Sequence, residues 1–408
     1  MQQLGKFLLI SLALLGSSLG NEDDLPSADF WTGRDVSLGN MFFPHLHVSG
    51  AIGSSSEDEI GSLANGPHDP SQDLNLLALE PGFSLRLGDH IEGFITSSYR
   101  TDAESDFTGG VEEAFLKLTD LPGGLELRGG RFFNRVGFQN ALHSHAWDYV
   151  DQYLANGRLL QEGELASIGG DLTWRLPTRY PSAFTLSVGG PPGGHSHSHG
   201  HGDEHGHEEE HHDDEDDDEH GEEDEHFDPE GAYFDDFIVS ANFVSVWRYN
   251  DFHQFTGNLN FSTGENNFGE TTYVYGLGLE YLWRENGLES GGRHFRLRTE
   301  AFYRDFDAVH EEEDTETESF NEFGFYTTAS YAFNAQWEAS LRLGYVEGID
   351  EFELGERWRV SPALTWSLNR ERSAYLRLQY NYDHRSGLAD AHTVWLGFGI
   401  NWGGSEVR

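Results

Sequence analysis

From Tyr273 to Arg284 the residues alternate between two chemistries with a period of two. Tyr273, Tyr275, Leu277, Leu279, Tyr281 and Trp283 share one face of an extended chain. Val274, Gly276, Gly278, Glu280, Leu282 and Arg284 share the other. The first face is apolar and carries aromatic rings at both ends. A strand needs that pattern when its outer side meets lipid and its two ends meet the membrane interfaces. The pattern recurs at Trp337 to Tyr345, at Ala374 to Tyr382 and at Val394 to Trp402. In all, about sixteen such segments begin near Phe43, Leu74, His90, Val111, Gly124, Glu164, Ser182, Tyr233, Phe252, Thr271, His294, Phe320, Trp337, Glu356, Ser373 and Ala391. Short connections such as Gly88-Asp89, Asp120 to Gly123 and Asn334 to Gln336 alternate with long ones such as Ser54 to Asp73, Phe133 to Gly163 and Gly189 to Ala232. An even strand number with that alternation predicts an all-β, transmembrane outer-membrane barrel of antiparallel strands over residues 43–402. Short turns then face the periplasm with both chain ends, and long loops face outward. A soluble sandwich does not need aromatics on the outer face at both ends of its strands.

The start of the chain agrees with export. Lys6 precedes a short apolar run, Phe7 to Leu15, and Ser18-Leu19-Gly20 offers small residues for cleavage. Residues 1–20 read as a signal peptide, 21–42 as a periplasmic segment and 403–408 as a tail. No run is long enough for a membrane-spanning helix. The chain has no cysteine, which removes disulfides and thiolate metal sites. A formal net charge of −46 opposes nucleic acid as a partner. The expected surroundings are outer-membrane lipid.

Inside the longest connection, 189–232, lies the run HSHSHGHGDEHGHEEEHHDDEDDDEHGEEDEH. It holds ten of the 21 histidines: His195, His197, His199, His201, His205, His207, His211, His212, His220 and His226. Imidazole and carboxylate are the donors that suit Zn2+, Ni2+, Co2+ and Cu2+. The run is too polar to offset the entropy of ordering, so a disordered, outward-facing metal-collecting tract is expected. The alternative is a solvated acidic loop.

Val111 to Asp151 reads VEEAFLKLTDLPGGLELRGGRFFNRVGFQNALHSHAWDYVD. The Glu-Glu-Ala-Phe-Leu, Arg-Gly-Gly-Arg-Phe-Phe, Val-Gly-Phe-Gln-Asn and His-Ser-His-Ala-Trp segments resemble bacterial outer-membrane barrels of the phosphate-selective porin kind. They resemble more specifically a porin-like group with His-rich loops, associated with zinc acquisition and sometimes labelled TonB-dependent receptors. The resemblance implies a channel or receptor that captures zinc on the tract and passes it through the lumen. A TonB-dependent receptor carries a plug domain of well over a hundred residues. Here only Asn21 to Phe42 precede the first strand, which argues against TonB coupling. Barrels of this size are compatible with a homotrimer.

Two histidine pairs stand outside the tract. His143 and His145 lie in the apolar-rich 133–163 connection, which reads as a constriction folded into the lumen, and Asp148 is a third candidate ligand beside them. His45 and His47 share the lumen face of the first strand. The remaining lumen lining is expected to be Glu280, Arg296, Arg298, Glu300, Glu338, Arg342, Arg357, Arg359, Arg377 and Asp383, with Arg304. Those arginines keep a general or anion-selective porin open as a second function. A barrel serving only to anchor a surface metal binder is a third. No nucleophile elbow, H-E-x-x-H run or other catalytic constellation is present, so no enzyme activity or organic cofactor is expected.

Overall fold

A computed structural model describes residues 37–39, 41–57, 73–101, 107–192, 227–289, 292–309, 317–369, 372–403 and 406. The signal peptide, nearly all of the N-terminal segment and the ten tract histidines lie outside the described residues.

Sixteen antiparallel strands close into one barrel. They are β1 (Phe42–Ser55), β2 (Asp73–Leu87), β3 (Ile91–Thr101), β4 (Phe107–Leu121), β5 (Leu125–Phe133), β6 (Ala166–Leu176), β7 (Ser182–Gly190), β8 (Phe234–Asn250), β9 (His253–Asn266), β10 (Thr271–Arg284), β11 (His294–Ala308), β12 (Glu318–Ala332), β13 (Trp337–Val346), β14 (Arg357–Ser367), β15 (Ala374–Arg385) and β16 (Ala391–Gly403). Each strand pairs with its sequence neighbours, and β1 closes the ring against β16 through partners running from His45↔Gly403 to Ser55↔Thr393. Closure leaves no strand edge unpaired, the condition for crossing lipid with strands. Both ends of the sheet lie on the rim of the short turns, because the strand number is even.

The alternation seen in β10 becomes the two faces of the wall. Tyr273, Tyr275, Leu277 and Leu279 are exposed, and Val274, Gly276 and Gly278 are buried. On β16, Val394, Leu396, Phe398 and Ile400 point outward while Thr393, Trp395, Gly397 and Gly399 point in. Large apolar side chains are exposed around the wall, including Leu116, Leu259, Leu341 and Leu378. Left in water, apolar surface costs about 25 cal/mol per Å². A continuous band of it belongs in lipid.

The one strand start that differs from the sequence expectation by more than two residues is β4, which begins at Phe107 rather than near Val111. Phe107 to Gly110 extend the pairing with β3, from Thr101↔Phe107 to Ser98↔Gly110. Gly109 and Gly110 carry no side chain to reveal a strand pattern.

The barrel is occupied by its own β5–β6 connection. This inner loop runs from Asn134 and carries a 3-10 turn at Ser144–Ala146 and the short helix α1 (Leu154–Leu159). Its apolar side chains Leu154, Ala155, Leu159 and Leu160 pack with Phe302 and Val346 of the wall. Val150 packs with Ala51 and Trp395, and Tyr153 stacks on Tyr326 at 3.8 Å. Polar contacts reach all around the lumen. Asn134 donates to Ser240, Glu300 accepts from the Phe138 backbone at 3.0 Å, and the Val150 backbone donates to Gln379. The anchor with the most charged partners is Asp151, 2% exposed. One oxygen accepts from Arg342 at 2.8 Å and Gln379 at 2.7 Å, the other from Arg359 at 2.7 Å and Asn381 at 2.8 Å.

Near the long-loop rim, Phe227, Phe306 and Phe352 form an aromatic cluster with Phe268 and Phe320. The Phe227 backbone also donates to the Glu351 carbonyl at 3.0 Å. Residue 227 directly follows the last tract histidine, so this cluster fixes where the tract re-enters the barrel.

Candidate metal centre

Four imidazoles meet inside the barrel. Period two puts His45 and His47 of β1 on the same inward face, and both are buried. The inner loop brings His143 and His145 to them across about a hundred residues of sequence. The His47 and His145 rings stack with centroids 3.6 Å apart, and the His45 and His47 centroids lie 5.5 Å apart. Phe94 closes one side, stacked on His45 at 5.2 Å and on His143 at 5.8 Å. Gly82 of β2 makes room for this packing, since a Cβ there would run into the His45 ring.

Carboxylates hold the rings in place. Glu80 of β2 accepts from the His145 Nδ1–H on one oxygen and from the Ser144 hydroxyl at 2.9 Å on the other. Glu113 of β4 accepts from the His143 Nε2–H at 2.9 Å and from the Phe133 backbone at 2.9 Å. His47 Nδ1–H donates to the Asn401 side-chain oxygen at 3.1 Å. A last carboxylate comes from beyond β16. Glu406 turns into the barrel, and its Oε1 lies 3.3 Å from His47 Nε2, 3.5 Å from His143 Nδ1 and 3.9 Å from His145 Nε2. The ligand atoms of His45, His47 and Glu406 lie within 4.8 Å of one another, as do those of Glu80, His143 and His145. Burial holds the His145 imidazole below the usual histidine range, against the pull of Glu80. A neutral ring keeps one nitrogen lone pair for a metal.

The third ligand expected beside His143 and His145 is not Asp148. Its carboxylate is committed to Arg296 at 2.6 Å and lies 3.9 Å from Arg298. The chain turns after the 3-10 turn, so Asp148 faces the β11 wall, and the carboxylates grouped with the histidines are those of Glu80 and Glu406. Neither glutamate is apparent from local sequence. Glu80 sits in the mostly apolar stretch LNLLALEPGF, where a lone acid between apolar residues was the available signal. Glu406 follows the last alternating run and reads as a tail.

Most of the other lumen residues form ion pairs. Arg298 donates to Glu280 at 2.7 Å, Arg357 and Arg359 to Asp383 at 2.9 and 2.7 Å, and Arg342 and Arg359 to Asp151. Arg304 pairs with Glu322. Glu300 accepts from Tyr326 at 2.9 Å, and Glu338 faces His294 at 3.0 Å and Arg372 at 2.9 Å. Arg377 donates to Thr365 and lies over the Tyr375 ring.

Residues 212–398, less than half of the chain, match a protein family described as "Putative MetA-pathway of phenol degradation". No curated protein sequence matches. Among solved structures, the outer membrane channel DcaP of Acinetobacter baumannii aligns with a TM-score of 0.54 at 9% identity, covering 88% of this chain and 96% of that one. The anion-selective porin from Comamonas acidovorans aligns with a TM-score of 0.54 at 10% identity, over 88% and 99% of the two chains. Pseudomonas putida OprB aligns with a TM-score of 0.56 at 10% identity, over 89% and 95%. At these identities the likeness establishes the fold, a porin-type barrel of sixteen antiparallel strands.

Proposed function

We propose that this barrel is an outer-membrane channel that collects divalent transition-metal cations, zinc foremost, on its His-rich tract and passes them through the lumen. The observation that carries the reading is the convergence of four buried imidazoles and three carboxylates at the inner loop. Imidazole with carboxylate favours borderline cations of the zinc class over hard ions such as Mg2+. The arginines of the wall, which alone would draw anions, are largely neutralised. Arg296, Arg298, Arg342, Arg357 and Arg359 each face a carboxylate. At the mouth, the tract's sixteen acidic residues concentrate cations and repel anions. Long loops then face outward and both chain ends face the periplasm.

Each tract ion is held loosely, because fixing the backbone of so polar a run around it costs conformational entropy. The tract therefore raises local metal concentration without trapping it. Removing residues 193–226 spares Phe227 and its aromatic cluster, so the barrel should fold as before. The deletion should remove several weakly bound zinc ions per chain, by titration calorimetry. Growth should slow only in chelator-treated medium. Unchanged zinc binding and unchanged growth in chelator would reduce the tract to a passive surface.

A further inference from the structure

Three of the four clustered histidines have their protonation pattern set by what they touch. An ionised carboxylate only accepts hydrogen bonds, so the nitrogen facing it carries the hydrogen. Glu80 therefore places the His145 hydrogen on Nδ1, and Glu113 places the His143 hydrogen on Nε2. The Asn401 oxygen places the His47 hydrogen on Nδ1. In neutral rings the opposite nitrogens, His145 Nε2, His143 Nδ1 and His47 Nε2, then carry lone pairs. All three lie within 4 Å of one atom, Glu406 Oε1. Lone pairs converging on a carboxylate oxygen repel one another unless a cation stands among them.

The spacing of two of the rings from Glu406 fits such a cation. Ligands held about 2.05 Å from one tetrahedral ion sit about 3.3 Å apart. His47 Nε2 and His143 Nδ1 already stand 3.3 and 3.5 Å from Glu406 Oε1, and His145 Nε2 is 3.9 Å away. His47 offers an independent sign. Its Nε2 is buried with no hydrogen-bond partner among the described residues, on a residue 6% exposed. It lies in the ligand group of His45 and Glu406. The carboxylate partners on the far side of His143 and His145 are what metal-bound imidazoles require to fix their orientation.

We infer that the lumen holds one discrete zinc-class site, in which His47, His143 and Glu406 bind the ion and the His145 ring, stacked parallel on His47 at 3.6 Å, turns to complete the coordination. Glu80, Glu113 and Asn401 are positioning residues. The segment that carries Glu406 is thereby tied to the lumen by the ion. This inference deepens the channel reading of the lumen, but it concerns binding at equilibrium and stands apart from transport.

The test uses the full-length protein in detergent with Co2+ as the probe, since its visible absorption reports coordination. One equivalent should bind first, with the intense bands of a four- or five-coordinate ion, ahead of weaker binding to the tract. Glu406→Gln should weaken that first equivalent roughly 10- to 100-fold, and Glu80→Gln and Glu113→Gln should act similarly through the rings they orient. Glu406 lies outside the sheet, so its variant keeps the barrel, checked by heat-dependent gel mobility. Co2+ should also protect the segment around Glu406 from limited proteolysis in the wild type and not in Glu406→Gln. A featureless titration with no distinct first equivalent, or a first equivalent indifferent to Glu406→Gln, overturns the site. Tight binding without zinc flux upholds the site and overturns the channel. Zinc flux without a Glu406-dependent site overturns the site and leaves the channel.

Discussion

Asp151→Asn will open the barrel. The Asp151 carboxylate takes four donors, two of them guanidinium groups from Arg342 and Arg359, in a position 2% exposed. Asparagine keeps the shape and loses the charge. It presents an amide N–H₂ where an oxygen accepted from two donors. Asp383 still partners Arg359, but Arg342 is left with hydroxyl, amide and carbonyl acceptors only. Breaking a buried charge pair from one side costs about 3 to 5 kcal/mol. That corresponds to roughly two to four orders of magnitude in the equilibrium that docks the inner loop. The apolar contacts of α1 with Phe302 and Val346 remain, so the loop loosens around Asp151 while the strands stay paired. Single-channel conductance in planar bilayers should rise. The reversal potential in a KCl gradient should move toward chloride, because positive charge on Arg342 is uncovered in the lumen. Conductance and selectivity equal to wild type would mean that Asp151 does not hold the loop.

The second large effect is expected from His143→Ala with His145→Ala. These side chains supply two of the imidazoles at the centre and leave Glu80 and Glu113 without their ring partners. Removing direct ligands should cost more than removing the groups that orient them, so zinc affinity in the lumen should fall by more than about a hundredfold. Zinc entry into proteoliposomes loaded with a zinc indicator should drop sharply, while potassium conductance changes little. His143 packs between Phe94 and Phe133, so the barrel's heat-dependent gel mobility has to be checked in parallel. Zinc entry at the wild-type rate in a folded double variant would remove the imidazoles from the permeation path.

The barrel could be read from sequence because its rule is local. A side chain two residues along a strand returns to the same face, so β10, β13, β15 and β16 each declare an outward and an inward side. The same rule placed His45 and His47 together. It is silent at Phe107 to Gly110, where two glycines leave the pattern blank. The candidate metal centre was only half legible, because its assembly is not local. His143 and His145 reach His47 through a loop that folds inward, and that path is set by Asp151 binding arginines some two hundred residues away. Asp148 looked like a ligand by its nearness in sequence, yet Arg296 captures it. Glu406 carries no periodic signal, and only the return of the chain from β16 into the barrel gives it a role. The wall arginines could be read as lumen-facing, but not as neutralised, since half of their partners sit on the inner loop.

The most direct test of the central claim is the reversal potential of the wild-type protein in a planar bilayer under a ZnCl₂ gradient, beside the same gradient of MgCl₂. A lumen lined by imidazole and carboxylate should give a reversal potential displaced toward the zinc equilibrium potential, and a smaller displacement for magnesium. Reversal at the chloride potential, identical for the two salts, would contradict a metal-cation channel and leave a general or anion-selective porin in its place.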